Sequence, residues 1–153
     1  MSEWETEELT DSDELFLRVH GRQLDKKGEL HPGIFRPRPP RNADGEPDET
    51  VPKEDWGIST YWSEYSTPSQ CRAGGGSPAS NNGVVTLIVK EVRAVPPLTV
   101  QHTPEPNNRS HTDVFGLPVM KQKKVKVRKR LFRHVKERGW TIHPNSPVED
   151  PIT

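Results

Sequence analysis

The sequence predicts an α+β domain built on a small, mostly antiparallel sheet, and three observations carry that expectation. Alternating or continuously β-prone stretches fall near 14–20, 56–62, 84–95 and 98–102. A short capped helix near 68–73 stands between them. A basic amphipathic helix near 123–138 follows the last strand.

The first strand is read from Glu14 to His20, where Leu15, Leu17 and Val19 fall on one face and Phe16, Arg18 and His20 on the other. From Gly28 to Pro52 the chain cannot be regular, because Arg36-Pro37-Arg38-Pro39-Pro40-Arg41 lacks amide donors at its prolines and fixes their backbone. We therefore expect a Pro-rich loop at 36–52. The second strand, 56–62, alternates Ile58, Thr60 and Trp62 with Ser59 and Tyr61. Thr67-Pro68-Ser69-Gln70 has the form of a helix start, with Thr67 as cap and Gln70 placed to reach back. Gly74-Gly75-Gly76 stops that helix and opens a Gly/Ser linker at 74–83.

Val84-Val85-Thr86-Leu87-Ile88-Val89 reads as a strand covered on both faces, which places 84–95 at the sheet centre. Pro96-Pro97 ends it, 98–102 resumes as a strand, and 110–115 fits either helix or strand. In 123–138, Val127, Leu131 and Val135 form an apolar stripe at four-residue spacing, with Gly139 as the stop. Trp140 to His143 reads as an added edge strand.

The domain expected from this pattern runs over 14–143, with an acidic flexible tail at 1–13 and a flexible C-terminal tail at 144–153. Hydrophobic residues are only 29% of the 153 and prolines number 16, so the core must be lean. The formal net charge is zero, but the signs are segregated. Glu3 to Glu14 holds seven acidic residues and no basic one, whereas Lys121 to Arg138 holds ten basic residues against Glu137 alone. Either the two ends take different partners or the tail folds over the helix. Trp4 is the one aromatic side chain of the acidic stretch, an anchor if that stretch docks. A single cysteine, Cys71, leaves no internal disulfide and points to a reducing, cytoplasmic setting. An acidic start and the lack of a long apolar run argue against secretion and membrane spanning.

Three constellations could carry chemistry. On the basic helix, Lys126, Lys129, Arg130, Arg133 and Lys136 project away from the apolar stripe and suit phosphate contacts; the same face would also serve as a solvated surface or pair with the acidic tail. Arg36, Arg38 and Arg41 offer a second basic contact or a polyproline ligand. His20, His102 and His111, two of them flanking the polar loop 103–110, could divide general-base and general-acid roles on a phosphodiester, with Arg109 stabilising the anion. The same histidines also suit ordinary core and capping roles. His102-x8-His111 matches no short-spaced zinc pattern and no cysteine pair assists it, so no metal is expected.

The order Arg18 and His20, then Ser59-Thr60-Tyr61 and Tyr65, resembles over about a dozen residues that of ADP-ribosyltransferases. The resemblance implies an NAD site built on these groups with Tyr61. The sequence departs from that pattern downstream, where Glu91 and Glu105 are the only candidate acids and neither lies in a recognisable motif. No phosphate-cradling glycine loop is present, because the triple glycine is not followed by Lys-Ser/Thr.

The reading that accounts for charge segregation and proline-rich arms is a small cytoplasmic binding or accessory module, contacting nucleic acid or an acidic protein surface through 121–138 and needing no cofactor. The alternative is a small enzyme of the toxin or defence type using His20, His102 and His111, either a phosphodiester-cleaving nuclease or an NAD-consuming transferase.

Overall fold

Alternating side chains from Glu14 onward form β1 (Glu14–His20) in the computed structural model, which describes residues 4–75 and 78–148. The other strands are β2 (Ile58–Trp62), β3 (Asn82–Ile88), β4 (Thr99–His102) and β5 (His111–Phe115). They make one antiparallel sheet in the order β3-β1-β2-β5-β4. Because strand side chains alternate between faces, the register sorts them into two sets. Leu15, Trp62 and Leu87 share one face, as do Ile58 and Val114; Phe16, Tyr61 and His111 share the other.

The first face carries the main core. It is covered by α3 (Lys121–Arg138), whose Val127, Leu131 and Val135 are buried at four-residue spacing, as the sequence predicts. Ile34 and Phe35 fill the same core, and the Arg128 Nε donates to the Phe35 carbonyl at 2.9 Å. On the second face α1 (Pro68–Ala73) seats Cys71 against Phe16 and Val84. Thr67 caps this helix as expected: its hydroxyl accepts from the Gln70 amide at 3.2 Å and the Gln70 side chain accepts from the Thr67 amide at 3.1 Å.

Several expectations are corrected. The stretch 84–95 is not one strand: β3 ends at Ile88 and α2 (Val89–Arg93) follows directly. Val89, Val92 and Val95 are all buried, and that spacing of three serves one side of a helical turn. Nor is β3 central. It is one of the two outermost strands in the order, and its continuous burial comes from α1 on one face, the core on the other, and a backbone bridge from Val84 to Ile142 along its free edge. The expected edge strand at 140–143 is thus a single bridge. Within 110–115 the strand His111–Phe115 forms, with Thr112 and Val114 buried while His111 and Asp113 are not. Asn82 and Gly83, expected in the Gly/Ser linker, belong to β3.

Both expected tails are held where they are described. Leu9 is 6% exposed within the main core, and Asp11 pairs with Arg93 at 2.8 Å. At the other end, the buried Arg72 guanidinium donates to the carbonyls of Asn82, His143, Ser146 and Pro147. Residues 149–153 lie outside the described part.

Candidate functional site

The exposed side of α3 is built by its period: with Val127, Leu131 and Val135 turned inward, Lys126, Lys129, Arg130, Arg133 and Lys136 must face outward, and all five are exposed. Among the described residues none of them has a carboxylate within ion-pairing distance; the helix's ion pairs are Arg138 and His134 with Glu91. Residues 4–13 of the acidic N-terminal segment form no ion pair with this face; their pairs are Asp11 with Arg93 and Glu7 with Arg109.

The Arg-Pro run extends the same field. Phe35 is locked in the core beside α3, which brings Arg36 close enough to Arg128 to act on it: burial, and then the Arg36 charge, hold the Arg128 guanidinium below its usual range. Two residues on, Arg38 exchanges both backbone hydrogen bonds with Gly57, just before β2. Burial comes first in lowering Arg38 as well, followed by repulsion from Arg36, Arg18 and Arg41. Among the described residues neither Arg38 nor Arg128 ion-pairs with a carboxylate, and the arginines around them make a band of positive charge. It runs from α3 through Arg36 and Arg38 to Arg18 on the second face of the sheet.

The three histidines do not form one site. His102 is directly opposite Thr112 and shares its buried face, whereas the neighbouring His111 points to the other face of the sheet. The His102 Nδ1 accepts from the Glu7 amide at 3.0 Å and its Nε2 lies 2.6 Å from the Arg109 carbonyl, which can only accept. Both nitrogens are therefore committed, with the proton on Nε2. His20 caps a 3-10 turn at Gly21–Gln23, its Nδ1 accepting from the Arg22 amide at 3.0 Å. It stands four residues beyond Phe16, the residue level with Tyr61 and His111, or roughly 13 Å along the strand. Arg109, expected as an anion stabiliser, is placed between the rings of Trp4 and Tyr65, 4.7 and 4.0 Å away, with Glu7 at 3.6 Å.

Around His111 the structure assembles a group that sequence reasoning divides between strands. The register puts Ser59, Tyr61, His111 and Asp113 on one face of β2 and β5. Gly57 makes room for Asp113, because a Cβ there would come within 2.7 Å of its carboxylate. Burial pushes the Asp113 carboxyl above its usual range, opposed by the charge of His111 when that ring is protonated and by a hydrogen bond from Thr103. On the same face, Arg18 donates from Nη1 to the Cys71 carbonyl at 2.9 Å and lies 3.5 Å from the Tyr61 hydroxyl. The Cys71 thiol, fully buried, is pushed up to about 12 by that burial and holds no reactive thiolate.

Surface cavities among the described residues include two. One of about 640 Å³ lies between α1 and the C-terminal segment, lined in part by Arg72, Ser69 and His143. The other, about 520 Å³, is bounded by Asp11, Ile88 and Glu91. No helix of the described residues is long and apolar enough to cross a membrane.

No protein-family model, curated protein or solved structure matches this chain.

Proposed function

We propose that the protein is a binding module for the phosphate backbone of nucleic acid, using the outward face of α3 and the adjoining Arg-Pro run. The observation that carries this reading is the set of five exposed cations, Lys126, Lys129, Arg130, Arg133 and Lys136, without carboxylate partners among the described residues. A helix of 18 residues spans about 27 Å, enough to follow several phosphates. Arg36, set beside Arg128, extends the binding face sideways off the helix. Each cation that meets a phosphate releases a counterion, which favours binding without reading sequence.

The test is fluorescence anisotropy of the full chain with labelled DNA and RNA across a salt series. Wild-type affinity should fall steeply with salt, and removing one phosphate-binding cation should flatten the log–log slope by about one. Lys129→Glu/Arg130→Glu/Arg133→Glu should reduce the slope by roughly three and abolish binding near physiological salt. Salt-independent binding, or an unchanged triple variant, would overturn the reading.

A further inference from the structure

We propose that the outer face of β2 and β5 carries a site distinct from the basic helix: a nucleophile–base pair, Ser59 and His111, suited to acyl transfer from a small anionic ester. The argument begins with the His111 tautomer. Its Nδ1 lies 2.9 Å from the Thr103 backbone carbonyl and 3.0 Å from the Thr103 Oγ1. A carbonyl only accepts, so Nδ1 carries a proton, and in the neutral imidazole Nε2 keeps its lone pair. That lone pair faces the Ser59 Oγ at 3.3 Å.

Behind the imidazole the polar chain continues. The Thr103 hydroxyl donates to Asp113 Oδ2 at 2.8 Å, and the same carboxylate oxygen is 3.9 Å from His111 Nδ1. Asp113 and Thr103 are positioning residues: they fix the ring and favour the imidazolium that forms when Nε2 takes a proton. Glu105 is the other acid that acts on Asp113. Serine, imidazole and carboxylate are thus linked in the order that activates a hydroxyl, on two strands whose register holds them.

The main packing of α1 falls on β1 and β3, with Gly74 close to the Tyr61 hydroxyl; Ser59, Tyr61 and His111 each keep some exposure, the His111 side chain 13%. Arg18, beside the Tyr61 hydroxyl and within the field of Arg38, is the group that would select an ester carrying a negative charge. In the step itself the Ser59 Oγ attacks the carbonyl carbon while its proton passes to His111 Nε2. The ester C–O bond breaks, and the departing alkoxide takes that proton. Water then attacks the acyl-serine, giving one proton to Nε2, which returns it to Ser59 as the carboxylic acid leaves.

The full chain is treated with p-nitrophenyl acetate and with the anionic mono-p-nitrophenyl succinate, and acylated peptides are located by mass spectrometry. Ser59 should be the acylated serine, faster with the succinate ester, and Arg18→Ala should remove that preference. Ser59→Ala should eliminate the adduct while leaving nucleic-acid binding unchanged. His111→Gln should slow acylation by at least ~100-fold. If that variant melts early, the pH profile of the wild-type decides. A rate that climbs and then levels off indicates a side-chain base, whereas one that tracks hydroxide without levelling overturns the proposal. It is also overturned if Ser59 reacts no faster than surface serines, or if His111→Gln acylates as fast as wild type.

Discussion

His102 and His111 show how one residue type takes two roles according to the face it is given. His102 is 3% exposed with both nitrogens bonded to backbone, and His111 keeps one nitrogen turned toward a hydroxyl. In the sequence both appear as histidines bounding one polar loop, and only the pairing of His102 with Thr112 separates them. Ser59 is visible as a strand residue, but its meeting with His111 depends on a register between strands some fifty residues apart, which no local pattern encodes. Asp113 gives a prediction with a definite sign. Burial raises its carboxyl in the folded state, so the folded protein binds that proton more tightly than the unfolded chain. The resulting penalty is full above the raised value and is relieved as pH falls through it toward about 3.9, the unfolded value. Asp113→Asn keeps an acceptor for Thr103 and removes the charge. It should melt higher than wild type at neutral pH, and the difference should vanish near pH 4 in parallel scans.

Elements are legible where a local signal agrees with the fold. Both α1 and β1 have the predicted bounds, and α3 begins two residues early because nothing in Lys121-Gln122 opposes a helix. The cap of α1 is written in four residues, and its worth can be measured. Thr67→Ala should cost about 1 kcal/mol in urea unfolding, since the Gln70 amide loses its acceptor. An unchanged midpoint would mean that α1 is held by the Cys71 packing alone. Val89 to Val95 reads as strand in the sequence because three valines in seven residues satisfy a strand propensity and a helical spacing at once. Tertiary context decides there: the Val89 and Lys90 amides donate to the Asp13 and Asp11 carbonyls instead of to a neighbouring strand. The edge position of β3 is equally hidden, because continuous burial reports coverage and not rank in the sheet.

For the molecule as a whole, the described N-terminal segment, residues 4–13, is a clasp and not a cover for the basic helix. Its Leu9 enters the core, its Glu7 amide meets His102, and its Glu7 carboxylate accepts from Tyr65 and lies near Arg109. Deleting residues 1–12 should therefore lower stability by at least about 2 kcal/mol, comparable with emptying one buried leucine site. The same deletion should leave nucleic-acid affinity nearly unchanged at 0.15 M salt, where charges beyond about 8 Å are largely screened. A large gain in affinity would reveal the segment as an inhibitor of α3. The strand order also governs how the chain emerges during synthesis. β1 is flanked by β2 and β3, so its two ladders are complete only once residue 88 has appeared. At ribosomal rates of about 5–20 residues per second, the first strand waits roughly 3–14 s with at least one open edge. In that interval a nascent chain carries Leu15, Phe16, Leu17 and Val19 as an unpaired sticky strand, the kind of segment that chaperones shield on polysomes.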